Sequence, residues 1–104
     1  NASLMALTGD PVKADEALRI GLVSKVVEAE ELVTTAQAIA ARIAANPPHA
    51  VRLTKQLLRG SERNSLDEML DKSAAFQAVC HAEPDHHEAI SAFFDKRSGA
   101  YRKD

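Results

Sequence analysis

The stretch LTGDPVKADEALRIGLVSKVV, residues 7–27, decides the fold, because helix-forming and helix-stopping chemistry alternate in it at short range. Thr8-Gly9-Asp10-Pro11 is a turn: Gly9 tolerates positive φ, while Pro11 fixes its own φ and restrains Asp10. Ala14 to Ile20 reads as a short helix closed by Gly21. Glycine followed by apolar Leu22 predicts a Schellman ending, with Gly21 left-handed at C′. Leu22 to Val27 alternates weakly and is partly β-branched, so a short extended segment is expected there.

Working outward, residues 4–7 (LMAL) read as the end of a helix. The chain opens on Asn1 without a helix-start signal or an initiator methionine, and the expectation is a piece of a longer polypeptide. Between about Glu30 and Ala45, the residues Leu32, Ala36, Ile39, Ala40 and Ile43 share one helical face. Asn46-Pro47-Pro48 breaks that helix and starts the next, with proline in its first turn. Val51, Thr54 and Leu58 mark one face of it, Leu53 and Leu57 another, until Gly60. Ser65 and Glu68 form a capping box ahead of Leu66, Met69, Leu70, Ser73, Phe76, Val79 and Cys80, the clearest apolar stripe in the chain. Pro84 ends that helix, and Asp85 is expected to cap a last one carrying Ala89, Ile90, Phe93 and Phe94.

The expected fold is therefore mainly α, about five helices with one short extended segment. The chain has 104 residues, 45% of them hydrophobic and only 4% aromatic. A chain of this size buries about 65% of its unfolded surface, and its alanine-rich core would be thin. Apolar residues on more than one face of several helices point to a partner surface.

Charge and cysteine content narrow the function classes. A net charge of −2, with 13 Lys and Arg interleaved among 15 Asp and Glu, leaves no nucleic-acid footprint. A helix-turn-helix around Gly21 is disfavoured by the same balance and by the long link from Leu22 to Ala29. The sole cysteine, Cys80, excludes an intrachain disulfide and suits a reducing compartment. With no signal-peptide pattern and no membrane span, the expected setting is the cytoplasm, or the mitochondrial matrix in a eukaryote.

The segment CHAEPDHHEAISAFFDKR, residues 80–97, gathers the candidate chemistry. His81 and Asp85 are spaced as ligands on a helix would be, as are Glu83 and His87, but Pro84 interrupts both pairs. His86 and His87 would point about 100° apart. The expectation is a polar helix–helix junction and no metal site. Cys80, on the apolar face of its helix, is expected to be a buried, inert thiol. Gly9, Gly21, Gly60 and Gly99 are isolated, so no phosphate loop forms. The pairs Glu30-Glu31 and Asp67-Glu68 sit at helix starts, where the macrodipole favours them. No catalytic machinery is read in these residues. Lys96, Arg97, Arg102 and Lys103 follow Phe93 and Phe94 closely. Two readings stay open for this tail: cations that satisfy a helix C-terminus, or an anion site in which a ring stacks on a base and an ammonium meets a phosphate.

Residues 7–27, together with NPPHAVRLTKQLL (46–58) and EPDHHEAISAFFDKR (83–97), make the chain similar to the C-terminal part of the enoyl-CoA hydratase/isomerase (crotonase) superfamily. The resemblance rests on Leu7-Thr8-Gly9, Ala14, Glu16-Ala17, Gly21-Leu22-Val23 and Val26-Val27. Lys55 strengthens it in the second stretch, and Asp85, Glu88, Ala92-Phe93 and Lys96-Arg97 do so in the third. Ala89 stands where glycine is usual, Gly99 where proline is common, and Tyr101 where phenylalanine is commoner.

The resemblance implies that residues 1–104 are the C-terminal helical domain of a crotonase-like α/β spiral fold, packing into a trimer (or dimer of trimers) and covering the acyl-CoA pocket. It also implies that the oxyanion hole and the acid–base carboxylates lie upstream of Asn1, with no catalytic residue in this stretch. Phe93 and Lys96 are implied as contacts to CoA, and no cofactor is implied beyond the CoA of the substrate thioester. The histidines gain no role from it. Hydration, isomerisation, dehalogenation and thioester hydrolysis share this C-terminal pattern, so the reaction and the acyl chain are not chosen here. The competing reading is a freestanding, non-catalytic helical interaction domain.

Overall fold

Helix-stopping residues space the elements much as the sequence suggests. The computed structural model describes residues 1–101, and among these it contains six α-helices and no strand. They are α1 (Ala2–Thr8), α2 (Ala14–Arg19), α3 (Leu32–Ala44), α4 (Pro48–Gly60), α5 (Leu66–Ala82) and α6 (Pro84–Phe94), with a 3₁₀ turn at Ala29–Glu31 leading into α3. Two compact units divide the chain, Asn1–Gln37 and the remainder from Ala38.

In the first unit, α1 ends at Gly9, left-handed at φ 68°, whose amide bonds the Met5 carbonyl at 3.1 Å. The α2 ending is the Schellman motif expected from Gly21. The Leu22 amide donates to the Ala17 carbonyl at 2.8 Å and the Gly21 amide to Leu18 at 3.1 Å, with Gly21 at φ 76°. This folds the chain back over Ala17, which is 7% exposed. Residues 22–27, expected to be extended, form bends and irregular chain and pair with no strand among the described residues.

In the second unit α4 packs on α5, and α5 on α6. Pro48 opens α4 at N1, where its missing N–H would have no helical partner in any case. Ser65 caps α5: its Oγ accepts from the Glu68 amide at 3.3 Å, and Glu68 Oε2 accepts from the Ser65 amide at 2.8 Å. That Ser65 amide, followed by its hydroxyl, holds the Glu68 carboxyl below its ordinary value. Packing splits the long apolar stripe of α5. Met69, Ser73, Phe76 and Cys80 are half-buried, whereas Leu66, Leu70 and Val79 remain exposed.

What these elements fail to cover is as informative as what they form. Ala17 and Ala92 are the only buried hydrophobic residues among those described, and no large side chain is fully buried. Leu4 and Leu7 of α1, Leu32, Val33, Ile39 and Ile43 of α3, and Leu58 of α4 are exposed. The apolar stripe of α3 expected from the sequence is therefore exposed at Leu32, Ile39 and Ile43. An open groove of about 620 Å³, lined by Ala40, Ile43, Pro48 and Val51, continues it into α4. The accessible surface is 8752 Å².

Two substitutions probe the helix ends that set this arrangement. Ser65→Ala is expected to cost about 1 kcal/mol by removing the α5 cap. Gly21→Ala is expected to cost a similar amount, about 1 kcal/mol, through backbone strain, because an added Cβ would meet nothing within 4 Å. Thermal or urea unfolding of each variant beside the parent measures both.

Candidate functional site

Helix α6 begins on Pro84 at N1, with Glu83 as the N-cap residue and no side-chain cap. Asp85, expected as the cap, lies instead inside the first turn. The reason is that Pro84 can itself take helical φ at N1, which moves the helix start upstream of Asp85. There its carboxylate favours the positive end of the helix dipole.

The far end of α6 repeats the bonding seen at α2. The Arg97 amide donates to the Ala92 carbonyl at 3.0 Å and the Lys96 amide to Phe93 at 3.3 Å. The residue in the left-handed position, at φ 53°, is Lys96, the only non-glycine residue with positive φ among those described. Ala92 beneath it is 3% exposed, while Phe93 and Phe94 on the last turn are 78% and 76% exposed. Their rings meet edge-on with centroids 5.7 Å apart.

A side-chain clasp holds the chain after this turn. Arg97 donates from Nη1 to Glu88 Oε1 at 2.5 Å and from Nη2 to Glu88 Oε2 at 3.1 Å, a bidentate pair. The Ala100 amide donates to the same Glu88 Oε1 at 2.8 Å. Arg97 Nε also reaches Asp95 Oδ2 at 3.3 Å, and the Ser91 hydroxyl donates to that oxygen at 3.3 Å. The hydrogen bond from Arg97, followed by that from the Ala100 amide, holds the Glu88 carboxyl at about 2, far below its ordinary 4.5. The same bond to Glu88 raises the Arg97 pKa.

Structure thus places Phe93 and Lys96 on one exposed helix end, with Lys96 in a conformation that favours glycine. Arg102 and Lys103, the rest of the cationic tail, lie outside the described residues. Sequence reasoning missed the clasp, whose partners are nine residues apart across a helix end. It also missed the contact of His49 Nδ1 with Glu83 Oε1 at 3.1 Å, between residues 34 apart, which ties α4 to the junction of α5 and α6.

That junction holds a small cavity of about 80 Å³ beside His49, Cys80, Glu83 and His86. Cys80 there is half-buried, less enclosed than its place on the apolar stripe suggests. The His81 and His86 rings lie 4.5 Å apart and those of His86 and His87 5.8 Å apart. Among the described residues, no group of three or more His, Cys, Asp or Glu side chains is arranged to hold a metal ion. None of their helices is long and apolar enough to cross a membrane.

The enoyl-CoA hydratase/isomerase family model matches residues 1–104. The chain belongs to the enoyl-CoA hydratase/isomerase family. Its relatives include a short-chain-enoyl-CoA hydratase from Clostridium acetobutylicum, 42% identical over 96 residues, covering 92% of this chain and 37% of the relative. A 1,2-epoxyphenylacetyl-CoA isomerase from Escherichia coli is 36% identical over 94 residues, covering 90% of this chain and 36% of that protein. The crystal structure of an enoyl-CoA hydratase from Mycobacterium tuberculosis H37Rv aligns with a TM-score of 0.89 at 32% identity, over 97% of this chain and 40% of that one. The mainly helical fold is therefore a part of the enoyl-CoA hydratase/isomerase architecture. The chain spans well under half the length of these relatives.

Protonation gives a direct test of the clasp. Glu88 has a depressed pKa in the folded state, so its stabilising effect is complete above the ordinary value of 4.5 and is lost as pH falls through about 2. The difference in thermal stability between the parent and Glu88→Gln should stay constant from neutral pH down to about 5 and close progressively below that. Thermal melts of both proteins across this range measure the difference.

Proposed function

We propose that these helices form the C-terminal oligomerisation and pocket-covering part of an enoyl-CoA hydratase/isomerase-like enzyme, and that Phe93 and Lys96 meet the CoA portion of its acyl-CoA substrate. The observation that carries this reading is the end of α6: a phenylalanine 78% exposed, followed by a lysine at φ 53°. An exposed ring offers a stacking face to a nucleotide base, worth about 1–3 kcal/mol. An ammonium nearby in the chain supplies a point charge for a phosphate. The uncovered faces of α1 and α3 supply the apolar surface that an assembly would bury.

In this reading the chemistry belongs to residues outside this chain. Hydration or isomerisation of an enoyl thioester proceeds through an enolate, which fixed N–H donors stabilise by about 3–4 kcal/mol per donor. Residues 1–104 contribute no catalytic group to that step; they anchor the CoA end of the substrate and close over it. The homo-oligomer in this reading is a trimer or a dimer of trimers, working in the cytoplasm or a mitochondrial matrix. No cofactor other than the CoA of the thioester takes part.

Two measurements test it. Residues 1–104 alone are expected to give no turnover of crotonyl-CoA above background, and measurable turnover would contradict the division of labour. In the native polypeptide carrying these residues, Lys96→Ala is expected to weaken CoA binding about tenfold and to leave kcat nearly unchanged. An unchanged affinity would return Lys96 to capping a helix end. A native polypeptide with no affinity for acyl-CoA would favour a non-catalytic interaction domain.

A further inference from the structure

Helices α2 and α6 end with the same pair of backbone bonds, but the left-handed residue is Gly21 in one and Lys96 in the other. A side chain with a Cβ in that conformation costs about 1–2 kcal/mol. Such a residue persists only where its surroundings over-determine it. The surroundings of Lys96 do so from both sides. Asp95, before it, accepts from Ser91 of α6, and Arg97, after it, grips Glu88 with two nitrogens. The Ala100 amide closes on the same carboxylate, so the chain beyond the turn is fastened to α6 at two points. Lys96 itself is exposed, and no hydrogen bond or ion pair engages its ammonium among the described residues. Its neighbours on both sides are tied down, while its own charge has no such tie among the described residues.

We infer that Glu88 and Arg97 are positioning residues for Lys96: their clasp holds the turn in the left-handed form that offers the ammonium to a phosphate of CoA beside the Phe93 ring. The inference rests on the proposed contact of Lys96 with CoA and extends it to residues that do not touch the ligand. A clasp that served only to staple the tail would leave phosphate recognition untouched. A clasp that aims Lys96 should change affinity only for ligands that carry the phosphates. Its effect should also vanish once the ammonium is gone.

The test uses the native polypeptide that carries these residues, with CoA and pantetheine (the CoA thiol arm without its nucleotide) as probes. Calorimetry measures CoA and NMR titration measures pantetheine, for the parent, Glu88→Gln, Lys96→Ala and the double variant. The expected result is a loss of CoA affinity of about fivefold to tenfold in Glu88→Gln, with pantetheine affinity unchanged. The double variant should bind CoA no more weakly than Lys96→Ala alone. Arg97→Lys, which keeps the charge but loses the fork, should weaken CoA in the same direction and decides the matter if Glu88→Gln does not fold. Equal CoA affinity in Glu88→Gln and parent, or losses that multiply in the double variant, would overturn the positioning role while the Lys96 contact stands. No loss in Lys96→Ala would remove the contact itself, and the positioning role with it.

Discussion

Apolar surface that the chain cannot cover by itself is the constraint on which the rest of this structure depends. Helices need a partner for their apolar stripe, since burying it contributes about 25 cal/mol per Å² and isolated short helices are marginal in water. Here α5 finds α4 and α6, but α3 carries Leu32, Val33, Ile39 and Ile43 into solvent and α1 does the same with Leu4 and Leu7. Buried hydrophobic residues are confined to two alanines among those described, whose side chains add little to the driving force. Specific helix ends are therefore left with much of the work of defining local structure.

Those ends divide into ones that can be read from sequence and ones that cannot. Gly21, Pro48 and the Ser65–Glu68 box act within a few residues, through backbone groups whose needs are the same in any protein, and each does in the structure what its type suggests. Lys96 breaks that correspondence. Nothing in the residue type signals positive φ, and in the inferred positioning role the conformation is held by Glu88 and Arg97 meeting across the helix end. The His49–Glu83 contact is hidden for the same reason, because it depends on how α4 packs on α5. Asp85 shows a local rule outcompeted: a good capping residue stands one position after a proline that starts the helix itself. The stripe on α5 shows periodicity read correctly and burial only half foretold, since a 3.6-residue repeat cannot tell a face met by a neighbour from one left bare.

The site follows the same division. The resemblance implies Phe93 and Lys96 as contacts, and the structure puts both on one open helix end. The device that fixes their setting, a carboxylate held at about 2 by a guanidinium and an amide, was not visible in the sequence. In the proposed reading, recognition of a nucleotide end far from the reacting thioester suits a part of an enzyme that supplies no acid, base or oxyanion donor. Binding energy from a remote part of a substrate can be used to position the reacting part. In the proposed reading these helices supply that remote energy and leave the chemistry to other residues.

The claim that the bare faces belong against a covering surface is tested most directly by amide hydrogen exchange, comparing residues 1–104 alone with the native polypeptide that carries them. If the account holds, amides of α1 and α3 exchange far faster in the isolated chain, and those of α5, which has neighbours within the chain, change least. Equal protection of α3 in both samples would show that its exposed stripe needs no partner, and would contradict the account.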